Sequence, residues 1–136
     1  MKFKFLAHTA DIKFQAFGKT IGEVFKNSAL ALFNIIYDKK ISEKMKFKIK
    51  AKGRDLENLM YNFLEEFLVL IDSKNFLPAK IKNLKLNKKN FKINAEVIGD
   101  DAKNYNVSEH VKAITYNEMF IKKIGGKWVS QVVLDV

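Results

Sequence analysis

The sequence predicts an α+β fold of two layers, with two amphipathic helices packed on a largely antiparallel or mixed β-sheet system. Three observations carry that expectation. Residues 20–37 and 55–72 repeat apolar side chains at i, i+3, i+4 spacing, the mark of a helix with one buried face. Much of the remaining chain alternates apolar with polar residues, as half-buried strands do. Short turn signals, Lys88-Lys89-Asn90 and Gly125-Gly126, join alternating segments into hairpins.

Taken in order, Ile12 to Phe17 reads as a strand. The first helix carries Ile21, Val24, Phe25, Leu32, Phe33 and Ile36 on its apolar stripe, and Thr20 with Glu23 forms a capping box at its start. Ser28 and Ala29 also lie on the stripe, and the serine hydroxyl is expected to bond back to the helix backbone. Met45, Phe47, Ile49 and Ala51 then alternate with lysines, which predicts a strand with one lysine-covered face. Asp55 caps the second helix, whose stripe runs through Leu59, Met60, Phe63, Leu64, Phe67 and Ile71. Tyr37 to Lys40 and Ser73 to Asn75 are the expected exits. Leu84 and Leu86 face Phe91, Ile93, Ala95 and Val97 across a turn. The polar stretch from Gly99 to Tyr105 reads as a loop. Val111 to Tyr116 and Met119 to Ile124 read as a second pair of strands, and Trp128 to Leu134 as the last strand.

A short echo accompanies the two helices. Phe17-Gly18-Lys19-Thr20-Ile21 and Lys52-Gly53-Arg54-Asp55-Leu56 both run strand, glycine, basic residue, cap, helix, 35 positions apart. The glycine permits a sharp turn and the next-but-one residue caps the helix. Neither copy has the longer glycine-rich loop that cradles phosphate.

Composition narrows the function classes. A chain of 136 residues fits a single domain spanning 1–136, and 48% hydrophobic content supports a packed core. No apolar run approaches the roughly 18 residues that cross a bilayer, and Met1 to Phe5 lacks the features of a signal peptide. Cysteine is absent, which excludes disulfides and thiolate metal sites and agrees with a cytoplasmic setting. The net charge of +10 invites attraction to nucleic acid, but Arg54 is the sole arginine, and sequence-reading proteins rely on bidentate arginine. The lysines either solvate a sheet face or attract RNA without reading its sequence.

The residues best placed for chemistry lie at opposite ends of the chain. Asp11 closes the tetrapeptide His8-Thr9-Ala10-Asp11 and adjoins the strand from Ile12; Asp135 follows the strand ending at Leu134, beside the terminal carboxylate of Val136. If those two strands are neighbours, three anions meet at one spot and repel unless protons or a cation lie among them. An all-oxygen donor set points to a hard divalent cation such as Ca2+ or Mg2+. His8 is placed either to orient Asp11 by a hydrogen bond or to brace the turn.

These motifs together resemble the archease family over nearly the whole chain. His8-Thr9-Ala10-Asp11-Ile12, followed by Ala16-Phe17-Gly18, Thr20, Glu23 and Phe25, is similar to the family's opening signature. Val111-Lys112-Ala113-Ile114-Thr115-Tyr116 is similar to its second motif, and Trp128 with Val132-Val133-Leu134-Asp135-Val136 to its close. One departure stands out: Asn117 occupies the place where the family usually has histidine.

The resemblance implies a non-enzymatic accessory protein of the RtcB-type RNA ligase that joins tRNA halves. It implies promotion of ligase guanylylation, support of multiple turnover and wider use of nucleoside triphosphates. By the same resemblance, Asp11, Asp135 and Val136 bind a divalent cation, calcium in the family. Lys112, with Asp11, Asp135, His8 and Tyr116, then serves activation of the partner, and tRNA is met through the ligase. Two other classes stay open on the residues alone. A small basic RNA-binding protein, acting as a tRNA chaperone or modification partner, fits the lysine excess. A metal-dependent hydrolase built on the same acids lacks an evident nucleophile or base.

Overall fold

The strand–glycine–cap–helix units seen in the sequence organise the molecule. The computed structural model describes residues 1–7, 11–107 and 110–136. Its elements are β1 (Phe3–Leu6), β2 (Ile12–Gly18), α1 (Ile21–Ile36), β3 (Met45–Lys52), α2 (Leu56–Lys74), β4 (Phe76–Asn87), β5 (Lys92–Asp101), a 3-10 turn (Ala102–Asn104), β6 (Ala113–Ile124) and β7 (Lys127–Asp135). Thr20 Oγ1 accepts the Glu23 amide at 3.1 Å, and Glu23 reaches back to accept the Lys19 amide at 3.3 Å. Asp55 does the same for α2, accepting the Asn58 amide at 2.8 Å. Asn75, with φ of 50°, ends α2 in the left-handed conformation that closes many helices.

The echo is structural. A Cβ on Gly18 would lie 2.6 Å from the Val24 nitrogen, and one on Gly53 would lie 2.5 Å from the Leu59 nitrogen. Each glycine thus lets its strand run against the first turn of the helix that follows. In each unit an asparagine on the helix donates to the carbonyl before the glycine: Asn27 to Phe17 at 2.6 Å and Asn62 to Lys52 at 2.8 Å.

The strands form two antiparallel sheets, ordered β1-β2-β7-β6 and β3-β5-β4. The α+β class expected from the sequence is the one observed. The sheet system is divided in two, and each helix touches both parts. Helix α1 packs on β2 and β7 and also on β4, while α2 packs on β6 and also on β3 and β4. Burial on two sides widens α1's hidden surface beyond its apolar stripe to include Asn27 and Ala31. The two helices meet through aromatic rings, with Phe33 edge-on to Phe67 at 4.9 Å and Phe25 6.0 Å from Phe63. Phe14, Phe63, Phe67 and Phe76 are fully buried at the centre.

Two expectations are corrected. The stretch Gly99 to Tyr105 is not all loop, because β5 continues through Asp101. Gly99 allows this: a Cβ there would stand 2.0 Å from the Leu77 carbonyl oxygen, so only glycine fits the close approach of β4. Val111 to Tyr116 and Met119 to Ile124 are not a strand pair but one strand, β6, interrupted by a bulge between Thr115 and Phe120. Glu118 takes φ of 55° at the bulge, and Thr115 Oγ1 donates to the Val133 carbonyl at 2.8 Å. The bulge bends the strand without ending its pairing with β7. Beyond it, Gly125 and Gly126 take φ of 58° and 81° in the hairpin turn that leads into β7.

One buried polar bridge ties α1 to the first sheet. Ser28 Oγ donates to the Val24 carbonyl at 2.7 Å, the expected back-bond, and lies 2.7 Å from Ser130 Oγ on β7. Since the Ser28 proton is committed to Val24, Ser130 is the donor of the pair. Both residues are fully buried. Ser28→Ala should therefore strand the Ser130 hydroxyl and lower stability by about 1–3 kcal/mol. Adding Ser130→Ala should recover part of that loss, as measured by denaturant unfolding of both variants.

Candidate functional site

Register brings the two ends of the sequence together. Strand β2 pairs with β7 from Ile12 opposite Leu134 to Gly18 opposite Trp128. Asp11 directly precedes this ladder and Asp135 closes β7, so continuing the register by one step would set the two opposite each other. Directly opposed residues of an antiparallel pair share a face and lie about 4.5–5.5 Å apart between Cα atoms. On its other side β7 pairs with β6, where Ala113 faces Asp135 and the Lys112 amide donates to the Asp135 carbonyl at 2.8 Å. Asp135 thus sits near the end of an inner strand, flanked by both neighbours. Asp11, Asp135 and Val136 are each half-buried, and Lys112 is exposed.

The expected site residues are brought together unequally. Asp11, Asp135 and Val136 gather at one end of the sheet, and Lys112 joins them through its backbone. His8 lies outside the described residues. Tyr116 belongs to a different contact: its ring stacks on Tyr61 of α2 at 4.4 Å and 8°, and its hydroxyl accepts from Asn58 at 2.7 Å. Burial, the largest cause, and the nearby Glu65 push the Tyr61 hydroxyl up from its ordinary value. Tyr116 braces β6 against α2.

Among the described residues, neither Asp11 nor Asp135 has an ion-pair partner. The half-buried Lys13, next on the same face, instead meets Glu118 at 3.3 Å. Beyond it Gln15 donates to Gln131 at 2.9 Å, and Gln131 donates to the Glu118 carbonyl at 2.8 Å. These amides and the bulge form a polar network that runs from the acid corner down the outer face of the sheet. Sequence reasoning missed it. The signal was present in the outward positions of Lys13 and Gln15, and in Gln131 interrupting an otherwise apolar strand.

Whether the corner suits a cation can be judged from its donors. No three His, Cys, Asp or Glu side chains converge on one point among the described residues. What the ends of β2 and β7 bring to one end of the sheet is Asp11 and Asp135, with Val136 next in sequence. That set is hard, anionic and incomplete, and it fits an oxygen-loving divalent ion whose remaining positions are filled by water or a partner. It does not fit zinc, which asks for nitrogen or sulfur donors in structural sites.

A second acidic group, also unforeseen, has a different role. Asp100 is buried at the end of the second sheet. The Tyr105 hydroxyl donates to it at 2.8 Å, and the Asp101 amide at 2.8 Å. Chiefly the tyrosine bond, then the amide, holds its carboxyl below the usual range against the opposing effect of burial. Tyr105 also accepts the Ser42 amide at 2.8 Å and packs edge-on to Tyr37 at 5.3 Å, so this carboxylate fastens the exit of α1 to β5.

The chain is similar to known proteins over nearly its whole length. Residues 3–136 match the model of the Archease protein family (MTH1598/TM1083). The chain is 41% identical to protein archease of Methanosarcina barkeri, covering 99% of this chain and 96% of that one. It is 38% identical to protein archease of Pyrococcus abyssi, with 95% and 94% covered. The solution structure of protein 1598 of Methanobacterium thermoautotrophicum superposes with a TM-score of 0.79 at 30% identity over 98% of both chains. An archease from Thermotoga maritima, described as a possible chaperone, shares the fold with a TM-score of 0.67 at 18% identity, covering 98% of this chain and 96% of that one.

The Asp100 lock carries a pH signature. A carboxyl whose folded pKa is depressed adds stability above its unfolded value and loses it as pH falls through the folded one. Asp100→Asn should be less stable than the parent at pH 7. Its melting temperature should also fall less steeply below about pH 4. Parallel thermal melts across pH, with equal slopes for both proteins, would remove the assignment.

Proposed function

The chain belongs to the archease protein family, and on that premise we propose that it is a non-enzymatic accessory protein that activates an RtcB-type tRNA-splicing RNA ligase. In this reading it promotes transfer of GMP onto the ligase, restores the enzyme for repeated turnover and widens the nucleotides it accepts. The supporting observation is the acid corner, where Asp11 directly precedes Ile12, the partner of Leu134, and Asp135 directly follows that leucine, neither with an ion-pair partner among the described residues. Like charges directly opposed across strands destabilise a sheet. A fold that keeps such a pair half-buried at one sheet end is built to meet positive charge there.

Asp11, Asp135 and Val136 would hold a divalent cation, calcium by the resemblance to the family, which would supply that charge. The chain's own residues do the rest. The β2–β7 register fixes the spacing of the carboxylates, and the Lys112 amide holds the Asp135 backbone. Tyr116, stacked on Tyr61, keeps the second motif of the family in place on α2. His8 and the Lys112 side chain complete the set that meets the partner. Activation follows if this surface binds one state of the ligase more tightly than the other.

Two measurements test the reading. Calcium at about a hundred times its Kd should stabilise the parent by about 2.7 kcal/mol. Asp11→Asn and Asp135→Asn should lose most of that gain, while being no less stable than the parent without calcium. Ligation of a 3′-phosphate RNA by substoichiometric ligase should run for many turnovers with the parent protein. With Asp11→Ala, Asp135→Ala or Lys112→Ala it should stop near one turnover. Full stimulation by both aspartate variants would defeat the mechanism.

A further inference from the structure

The second sheet presents a surface that the acid corner leaves unused. Its inner face packs on the helices, and most of its outer positions are lysine. Strand β3 contributes Lys46, Lys48, Lys50 and Lys52, and register sets Ile98, Glu96, Asn94 and Lys92 of β5 beside them. Strand β4 adds Lys80, Lys82 and Lys85 on the far side, opposite Ile98, Glu96 and Asn94. Lysines of this face thus flank β5 on both sides, and Lys52 stands directly opposite Lys92. The one acid in this array, Glu96, is already engaged. Asn83 donates to it, and Lys46 lies 3.4 Å away, which together hold it below the usual carboxylate range. Lys80 is taken by Glu43 at 2.7 Å. Lys48, Lys50, Lys52, Lys82, Lys85 and Lys92 are exposed and have no ion-pair partner among the described residues.

Lysine on edge strands is a common guard against edge pairing. That guard needs a few charges, and it gives no reason for Lys92 on the inner strand β5. Opposed like charges cost stability, so six unpaired cations on one face are a standing expense that a polyanion would remove. The array also has dimensions. Lys46 to Lys52 spans about 20 Å along the strand, and the outer strands lie about 10 Å apart. A shallow groove of about 510 Å3 crosses it, lined by Lys48, Lys50, Lys85, Asn94 and the already engaged Glu96. A second groove, lined by Lys50, Lys52, Lys92 and Asn94, is bordered by Glu65 and Glu66 of α2, which limits phosphate to the sheet itself.

We infer that the outer face of β3, β5 and β4 binds the backbone of double-helical RNA. Single strands are held by stacking on aromatic rings, and no aromatic side chain lies on this face. Base reading in the major groove of DNA relies on bidentate arginine, and the chain has one arginine, Arg54. What the face offers is rows of lysine on either side of Asn94, whose amide has no hydrogen-bond partner among the described residues. That pattern suits the wide, shallow minor groove of an A-form helix, where phosphates and ribose hydroxyls are the exposed groups. This inference stands apart from the ligase reading and needs no ligase to be tested.

The test is fluorescence anisotropy with the full chain and a labelled RNA duplex of about 16 base pairs. Matched DNA duplex and single-stranded RNA serve as further probes, each across a salt series. The parent should bind the RNA duplex with a slope of log K against log salt near −4 to −5, as about five neutralised phosphates give. The variant K48Q/K50Q/K82Q/K85Q should bind at least tenfold more weakly with a slope shallower by about 3. The variant K2Q/K4Q/K122Q/K127Q removes the same charge from the other sheet and should stay within threefold of the parent. Circular dichroism and thermal melts establish that both variants fold. Absence of duplex binding, equal weakening by the two variants, or equal affinity for DNA or single strands would each overturn the assignment.

Discussion

Register between β2 and β7 is the constraint on which the rest depends. A slip of one residue would turn Phe14 and Ala16 from the core to solvent and would part Asp11 from Asp135. The molecule pins that register from both faces. On the inner side Ser130, opposite Ala16, donates to Ser28 of α1. On the outer side Gln15 and Gln131 bond across the same pair of strands. Either clamp would be broken by a shift, and both would be left with polar groups short of partners. The hydrophobic pattern selects the face, and the polar clamps select the exact pairing within it.

The duplicated strand–glycine–cap–helix unit explains why two helices bury so much. Gly18 and Gly53 let each strand press on the first turn of its helix, and Asn27 and Asn62 sew the two together. Each unit places its helix close under its own strand. The first unit supplies a strand to one sheet and the second unit to the other, so the two helices are enclosed between sheets. Both outer sheet faces then lie clear of the helices. One carries the polar network leading to the acid corner, and the other carries the lysine array.

Much of this was legible in the residues because the signals were local. The helices, their caps, β3 and the hairpin turn at Lys88 follow from periodicity and capping chemistry that a few neighbouring residues fix. What escaped reading depends on contacts distant in sequence. The extension of β5 through Asp101 requires Tyr105 and the Asp101 amide to satisfy the buried Asp100 carboxylate, and polarity alone marks such a stretch as loop. The single bent strand β6 looks like two because the bulge at Glu118 breaks the alternation. For the acid corner, the residues could be named from the sequence, and the β2–β7 register supplies their opposition. The stacking of Tyr116 on Tyr61 could not be foreseen, since nothing in either segment announces the other.

The position of β7 has a kinetic consequence. It is the last strand in the sequence yet lies between β2 and β6, and its bond from Gln131 to Gln15 closes a separation of 116 residues. Pairings that span so much chain form slowly, because loop closure must precede any reward. Until β7 docks, β2 offers an open edge and the two aspartates are strangers. Competence at the corner is therefore a late property of the folding chain, acquired only when its final strand has threaded home.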